Sequence, residues 1–435
     1  MDISHQDLLS VLKSELVTSI GCTEPAAVAL ACAKAKEHLN DELDHLNVLV
    51  SRDVFKNGFK VGIPGTEQRG LLIAIALGYL FGNPDAGLEV LQSVGTGALG
   101  DAESLVLSGR ITIDIDQDYD GLFIQVNAKG ITHEALVIIK EEHNHIARIE
   151  VDGAVLLEDQ PDEASGRMNA SAILDALTPE AIVRFADTVD IHEIMFVYEA
   201  AEINARAARE GMSNSWGLNI GKTLMALDDG DAGEDDSRLT ISRITRAAAF
   251  AAAASDARMS GCSCPIVINS GSGNQGITAS LPVLSIARDM GIDKQLVMRA
   301  LVMSHLLSLY QKHFSDRISA FCGVVTAAVG AGCAAAYMLG GGLVEIEHTM
   351  NTALGGISGM ICDGAKSSCA MKIALAVQNA LIACAVGLQG KGITPGEGIV
   401  GADAHGTVKN IGRLATEGMR GTDEVILQIM LDTSE

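Results

Sequence analysis

From Ile318 to Val344 the chain runs ISAFCGVVTAAVGAGCAAAYMLGGGLV without one charged residue, and few folds accommodate such a run. A stretch this long and uncharged either spans a bilayer or lies in the middle of a protein core. Its makeup decides: Ala and Gly dominate, three glycines close it, and neither a Trp/Tyr belt nor a flanking Lys/Arg bias accompanies it. We predict a buried core helix and no membrane association. Such a helix needs neighbours with small side chains, and the composition supplies them: 48% of residues are apolar, only 3% are aromatic, and 46 are glycine.

The rest of the chain predicts an α+β fold, a large mostly helical part beside a small part containing an antiparallel sheet. Apolar spacing marks helices over 5–16 and 24–39, the second with Thr23 as N-cap, Glu24 in its first turn and Pro25 where a missing N–H costs nothing. Leu46 to Ser51 and Phe55 to Ile63 read as strands broken by Lys56-Asn57-Gly58, with helices from about 66 to 108. From Arg110 the period changes to two, which predicts a small antiparallel sheet over 110–157. An acidic linker follows at 156–171, and from Thr178 onward the pattern is helical, interrupted by glycine-rich loops. We divide the chain into residues 1–45, helices packing on the helical part; 46–157, the small α/β domain; and 158–435, the helical domain carrying the candidate ligands.

At 435 residues and a formal charge of −24, with no Lys/Arg-rich run, the chain would repel a phosphate backbone, so nucleic acid is excluded as a partner. The N-terminus has no basic segment followed by an apolar one, which predicts a cytoplasmic protein. Nine cysteines, an odd number, then point to free thiols or metal ligands rather than disulfides.

Three stretches carry possible chemistry. Cys322 begins a helix-like stretch within the uncharged run, and Cys362 and Cys369 lie in GMICDGAKSSC, where glycine and serine leave space and backbone N–H groups beside sulfur. Thiolates in such surroundings hold iron–sulfur clusters, and three ligands leave one iron open as a Lewis acid. Spacing alone equally allows small buried thiols. Cys262-Ser263-Cys264 is too close for the usual zinc spacing and reads as structural. In VINSGSGNQGITASLPV a strand-like lead enters Asn269, Ser270, Gly271, Ser272, Gly273, Asn274 and Gln275, with a helix starting near Ile277. That is either an anion cradle suited to a carboxylate or a plain turn. In TSIGCTEPAA, Cys22 beside a helix start is biased toward thiolate and could act as a base, or it simply belongs to a cap. Lys56 and Asn57 are further candidate substrate contacts, as is Thr23. His313, His348 and His405 are possible acids or bases, although isolated histidines are more often structural.

Taken together, CGVVTAAVGAGCAAA at 322–336, EIEHTMNTALGGISGMICDGAKSSC at 345–369, the NSGSGNQG loop and GCTEPAA resemble the UPF0597 proteins, the L-cysteine desulfidases, relatives of the iron–sulfur L-serine dehydratase alpha chain. The likeness runs over nearly the whole chain. It implies that Cys322, Cys362 and Cys369 hold a [4Fe-4S] cluster with one open iron, and that Asn269 to Gly276 is the substrate loop. It also implies that Cys22 stands where the dehydratases have a histidine base. The spacing between the second and third ligands is shorter here than in the dehydratases, and their C-terminal cysteine is missing.

The activity so implied is β-elimination from L-cysteine, giving sulfide, pyruvate and ammonia, in a homodimer. The alternatives are an L-serine or L-threonine dehydratase on the same site, or a non-catalytic iron–sulfur sensor or carboxylate-binding protein.

Overall fold

Alternating apolar residues in one half of the chain and small residues at helical spacing in the other give two hydrophobic cores, and the site lies between them. The computed structural model describes residues 3–119, 121–159, 170–228 and 239–432. The first part of the chain forms α1 (His5–Glu15), β1 (Thr18–Ile20), α2 (Thr23–Leu39), β2 (Leu43–Ser51), α3 (Arg52–Gly58), α4 (Leu71–Phe81) and α5 (Leu99–Leu107). Five strands follow: β3 (Ile111–Asp116), β4 (Phe123–Gly130), β5 (Glu134–Lys140), β6 (Ile146–Val151) and β7 (Ala154–Glu158). Next come α6 (Ala170–Ala176), α7 (Pro179–Thr188), α8 (Met195–Ser213), α9 (Ile220–Leu227), α10 (Ile241–Met259) and β8 (Pro265–Val267). The remainder is helical: α11 (Gly273–Met290), α12 (Lys294–Phe314), α13 (Gly323–Met338), α14 (Leu343–Gly356), α15 (Cys369–Gly387), α16 (Ala404–Arg413) and α17 (Arg420–Asp432).

The fold is α+β, as predicted, but the sheet is larger than 110–157 and is mixed. Its order is β3-β2-β4-β5-β6-β7, with β2 and β3 parallel and every other pair antiparallel. Val48 pairs with Val126, Val126 with Val137 and Val137 with Ile149, so one apolar row crosses four strands. That face is buried against α2, with α4 packed on α2 in turn. The expected strand over Phe55 to Ile63 is instead helix α3 and the loop after it. Ser51 caps α3 by accepting from the Val54 N–H, and Phe55 and Phe59, four residues apart, then pack with their rings tilted and centroids at 5.2 Å. The expected linker at 156–171 begins inside β7, and its residues 160–169 lie outside the described residues. The grouping of residues 1–45 is also corrected: α1 joins the helical core, whereas α2 belongs to the core of the sheet.

In the helical part α13 packs against α11, α12, α14 and α15 and is almost wholly buried. The uncharged run is therefore not one helix: α13 takes its middle, and α14 starts at Leu343. Among the described residues α15 alone is long and apolar enough, by length and composition, to cross a membrane, and half of that stretch is buried inside the protein. Glycine sets the helix spacing. A methyl group at Gly330 would strike the Ser304 carbonyl oxygen of α12, and one at Gly332 would come within 2.7 Å of the Ala380 carbonyl oxygen of α15. Gly330→Ala is accordingly expected to cost about 1–3 kcal/mol, read as a lower urea midpoint at unchanged slope.

Candidate active site

Two pairings of distant backbone assemble the site. β1 runs antiparallel to β8, with Thr18 opposite Val267 and Ile20 opposite Pro265, which sets Gly21-Cys22 beside the loop entering α11. A bridge between Phe321 and Ile361, flanked by Cys322 N–H to Met360 O (3.1 Å) and Cys362 N–H to Ala320 O (2.7 Å), brings two cysteines forty positions apart side by side. Cys369 opens α15 a few residues later.

These segments enclose a cavity of about 90 Å³ lined by Cys22, Thr23, Glu24 and Asn57, by Ser270, Gly271, Ser272, Asn274 and Gln275, and by Cys322, Cys362 and Cys369. His143, Arg258, Lys312, Arg317 and Ser319 complete its polar lining. The volume is far below the roughly 300 Å³ at which drug-sized ligand pockets begin, so the site suits a small molecule. The N-termini of α2, α11, α13 and α15 all reach this cavity, and none carries a side-chain cap. Their free N–H groups and dipoles favour negative charge there.

The helix starts differ from expectation by small shifts that matter. Cys22, not Thr23, is the N-cap of α2, and Thr23 is its first residue. α11 begins at Gly273 rather than near Ile277, so Asn274 and Gln275 sit in its first turn. Ser270 adopts φ 49°, unusual for a residue with a side chain, and Gly271 adopts φ 72° with His143 packed against it: a Cβ there would lie 2.8 Å from His143 Nδ1.

Cys22 differs from the sequence expectation in its charge. Its Sγ donates to Glu24 Oε2 at 3.1 Å, and burial first, then the Glu24 carboxylate, pushes the thiol well above its ordinary range, against the opposing pull of Arg258. Helix-start potential is outweighed, and Cys22 rests as a thiol. Burial works against the Glu24 charge, yet His143 at 3.7 Å and the bond from Cys22 hold its carboxyl well below the usual range. Thr23 Oγ1 (3.1 Å) and Asn57 Nδ2 (2.8 Å) also donate to it.

Three sequence candidates lie behind the cavity rather than on it. Asn269 is fully buried, donates to His305 Nδ1 (3.1 Å) and accepts from Ser270 (3.0 Å) and Ser308 (3.1 Å), so it fixes the loop. Gly273 packs under the Arg258 guanidinium. Lys56 is buried and ion-paired with Asp53 (3.4 Å) and Asp423. Burial opposes its charge, but Cys362, Asp53 and Asp423 together raise its pKa. Asp423→Asn leaves Lys56 with Asp53 alone; breaking a lone buried pair costs about 3–5 kcal/mol, and here about 2 kcal/mol is expected, read by urea unfolding.

His313 bonds Asp175 at 2.8 Å, and His348 and His405 also lie away from the cavity. Cys262 and Cys264 stay in their loop outside it, and Cys32, Cys333 and Cys384 are core thiols. The sequence reading passed over His143, Arg258 and Lys312. Each sits at a helix end or hairpin turn whose local sequence is ordinary.

The three cysteines fit an iron–sulfur cluster by their chemistry. Among the described residues no three His, Cys, Asp or Glu side chains converge on one ion; a cluster instead spreads its thiolates over separate irons around a cavity. Cys362 is held below the ordinary thiol range by the Cys322 S–H first, then, against burial, by Lys56 and the Gly364 N–H. Lys312, 3% exposed, donates to Ser319 Oγ at 3.2 Å; burial lowers its pKa to about 8 while Cys362 and Cys322 oppose that fall. Two buried ammonium groups thus stand beside a thiol group that would carry several negative charges.

Comparison with known proteins gives the family. The model of the serine dehydratase alpha chain family matches residues 126–428. A UPF0597 protein of Lachnoclostridium phytofermentans is 40% identical over 430 residues, covering 98% of this chain and 100% of its own. The chain belongs to the UPF0597 family. UPF0597 proteins of Parabacteroides distasonis, 38% identical over 432 residues (99% of both chains), and of Aeromonas hydrophila, 40% over 430 residues (99% of this chain and 97% of its own), are similar over the same span. The relationship read from four motifs is therefore the relationship found. The dehydratase match points to a lyase-type enzyme and includes His143, Arg258, the α11 loop and the three cysteines. Cys22 and Glu24 precede it but fall within the reach of the UPF0597 relatives.

Proposed function

We propose that this UPF0597 protein is an L-cysteine desulfidase: it eliminates sulfide from L-cysteine, leaving pyruvate and ammonia. The observation that carries the reading is the meeting of Cys22 with Cys322, Cys362, Cys369 and the α11 loop on one small cavity. Cys322, Cys362 and Cys369 would hold a [4Fe-4S] cluster with one open iron, whose Lewis acidity eases departure of the β-substituent.

The chain's own residues do the rest. The α11 loop, with uncapped N–H groups and the Ser270, Ser272 and Gln275 side chains, receives the substrate carboxylate. Cys22, once its thiol proton has been lost to solvent, removes the substrate α-proton as the thiolate. The electron pair of the Cα–H bond becomes the Cα–Cβ double bond as the Cβ–S bond breaks and HS⁻ leaves. The 2-aminoacrylate released takes up water, giving pyruvate and ammonia.

A serine dehydratase works by the same steps with water as the leaving molecule, and the serine dehydratase family match favours that second reading. Relative kcat/KM for L-cysteine and L-serine on cluster-loaded protein separates them. The desulfidase reading expects cysteine to be preferred; preference for serine would replace it with the dehydratase.

A further inference from the structure

Arg258 is a buried cation that the steps above do not use. It lies in the last turn of α10, is 3% exposed and lines the cavity. Its Nε donates to the Gly21 carbonyl oxygen at 3.0 Å. That bond anchors the guanidinium to the turn just before Cys22, and among the described residues Arg258 has no carboxylate partner. The contrast with Arg317 on the same cavity is direct: Arg317 is neutralised by Glu15 through paired bonds of 2.9 and 2.7 Å. Glu24, the only carboxylate among the described residues on the cavity wall, is already engaged by Cys22, Thr23 and Asn57.

The α11 helix start is shaped around this guanidinium. A Cβ at Gly273 would lie 2.5 Å from Arg258 Nε and 2.7 Å from Cζ, so only glycine lets the first turn of α11 come so close. Gln275, in that turn, keeps a buried Oε1 without a hydrogen-bond partner, an acceptor that suits the ammonium group next to such a carboxylate rather than the carboxylate itself. A desolvated guanidinium without a counterion, at an uncapped helix start, calls for a planar anion, and its fork of N–H groups matches a carboxylate.

We propose that Arg258 is the carboxylate anchor of the site: it binds the α-carboxylate of the substrate and makes the site selective for small α-carboxylates over neutral or purely cationic thiols. This rests on the amino-acid lyase reading and sharpens it by placing the carboxylate at the Arg258 end of the cavity, beside Cys22.

The test needs neither cluster nor turnover. Metal-free protein is alkylated with iodoacetate and, separately, with iodoacetamide, and modification of Cys22 is followed by peptide mass spectrometry. The expected ratio of iodoacetate to iodoacetamide rates at Cys22 falls about tenfold in Arg258→Gln, while Arg258→Lys retains part of it. Circular dichroism and the modification rate of the half-buried Cys264 serve as the fold controls. An unchanged ratio in a folded Arg258→Gln protein overturns the proposal, as does failure of iodoacetate to reach Cys22 in the wild type. On cluster-loaded protein the same variant is expected to raise KM for L-cysteine more than it lowers kcat. If the alkylation ratio falls but neither amino acid is turned over, the anchor stands and the lyase reading fails.

Discussion

Cys362→Ser protein, reconstituted anaerobically with iron and sulfide, is expected to retain little iron and to lose sulfide release from L-cysteine by more than about a hundredfold. Loss of an outer-shell partner already costs about 10–100-fold, and Cys362 is proposed as a ligand itself. It is the thiol of the three held below its ordinary range, by the Cys322 S–H, Lys56 and the Gly364 N–H. The bridge between Phe321 and Ile361 ties its position to that of Cys322. Gly364, at φ 91° and packed on the Lys56 carbonyl oxygen, keeps the following loop tight enough to return Cys369 to the same cavity. Full iron content in Cys362→Ser would remove it from the ligand set.

Cys22→Ala is expected to do the opposite with respect to metal: iron content stays as in the wild type, while kcat falls by about 10²–10⁴, the usual contribution of a positioned acid or base. KM should change little, because in the proposed reaction Cys22 acts on the α-proton and Arg258 holds the carboxylate. The Cys22 bond to Glu24 at 3.1 Å makes Glu24→Gln the companion variant. The carboxylate raises the thiol pKa, so the neutral amide is expected to move the acidic limb of the kcat/KM profile to lower pH. A Cys22→Ala protein with undiminished turnover would transfer the base role to another residue of the cavity.

Some of this architecture was legible in the sequence. The uncharged Ala/Gly run could only be buried, and α13 is buried. Strict alternation after Arg110 gave the strands, because a period of two is local information. The parallel pairing of β2 with β3 was not legible: it depends on where α3 to α5 return the chain, and no residue in β2 records its partner. α3 was misread as a strand because Phe55 and Phe59, four apart, suit a helical turn as well as an extended run, and the Ser51 cap that decides the matter is one hydrogen bond.

The site divides in the same way. Cysteines and glycines in clustered motifs announce themselves, and the cavity gathers Cys22, Cys322, Cys362 and Cys369. Arg258, Lys312 and His143 do not, since the first two end long helices, the third sits in the turn between β5 and β6, and each acquires its meaning from burial beside distant segments. The protonation of Cys22 was misjudged for a related reason. The helix start is visible in the sequence, but the direction of the Glu24 side chain, which outweighs it, is tertiary.

The central claim is that three thiols around this cavity hold a cluster that serves carbon–sulfur elimination. Anaerobic reconstitution, with iron counted per chain and sulfide and pyruvate measured on addition of L-cysteine, tests it most directly. The account predicts about four irons per chain and both products in equal amounts. Protein that folds but binds no iron, or that binds iron and releases neither product, would contradict it.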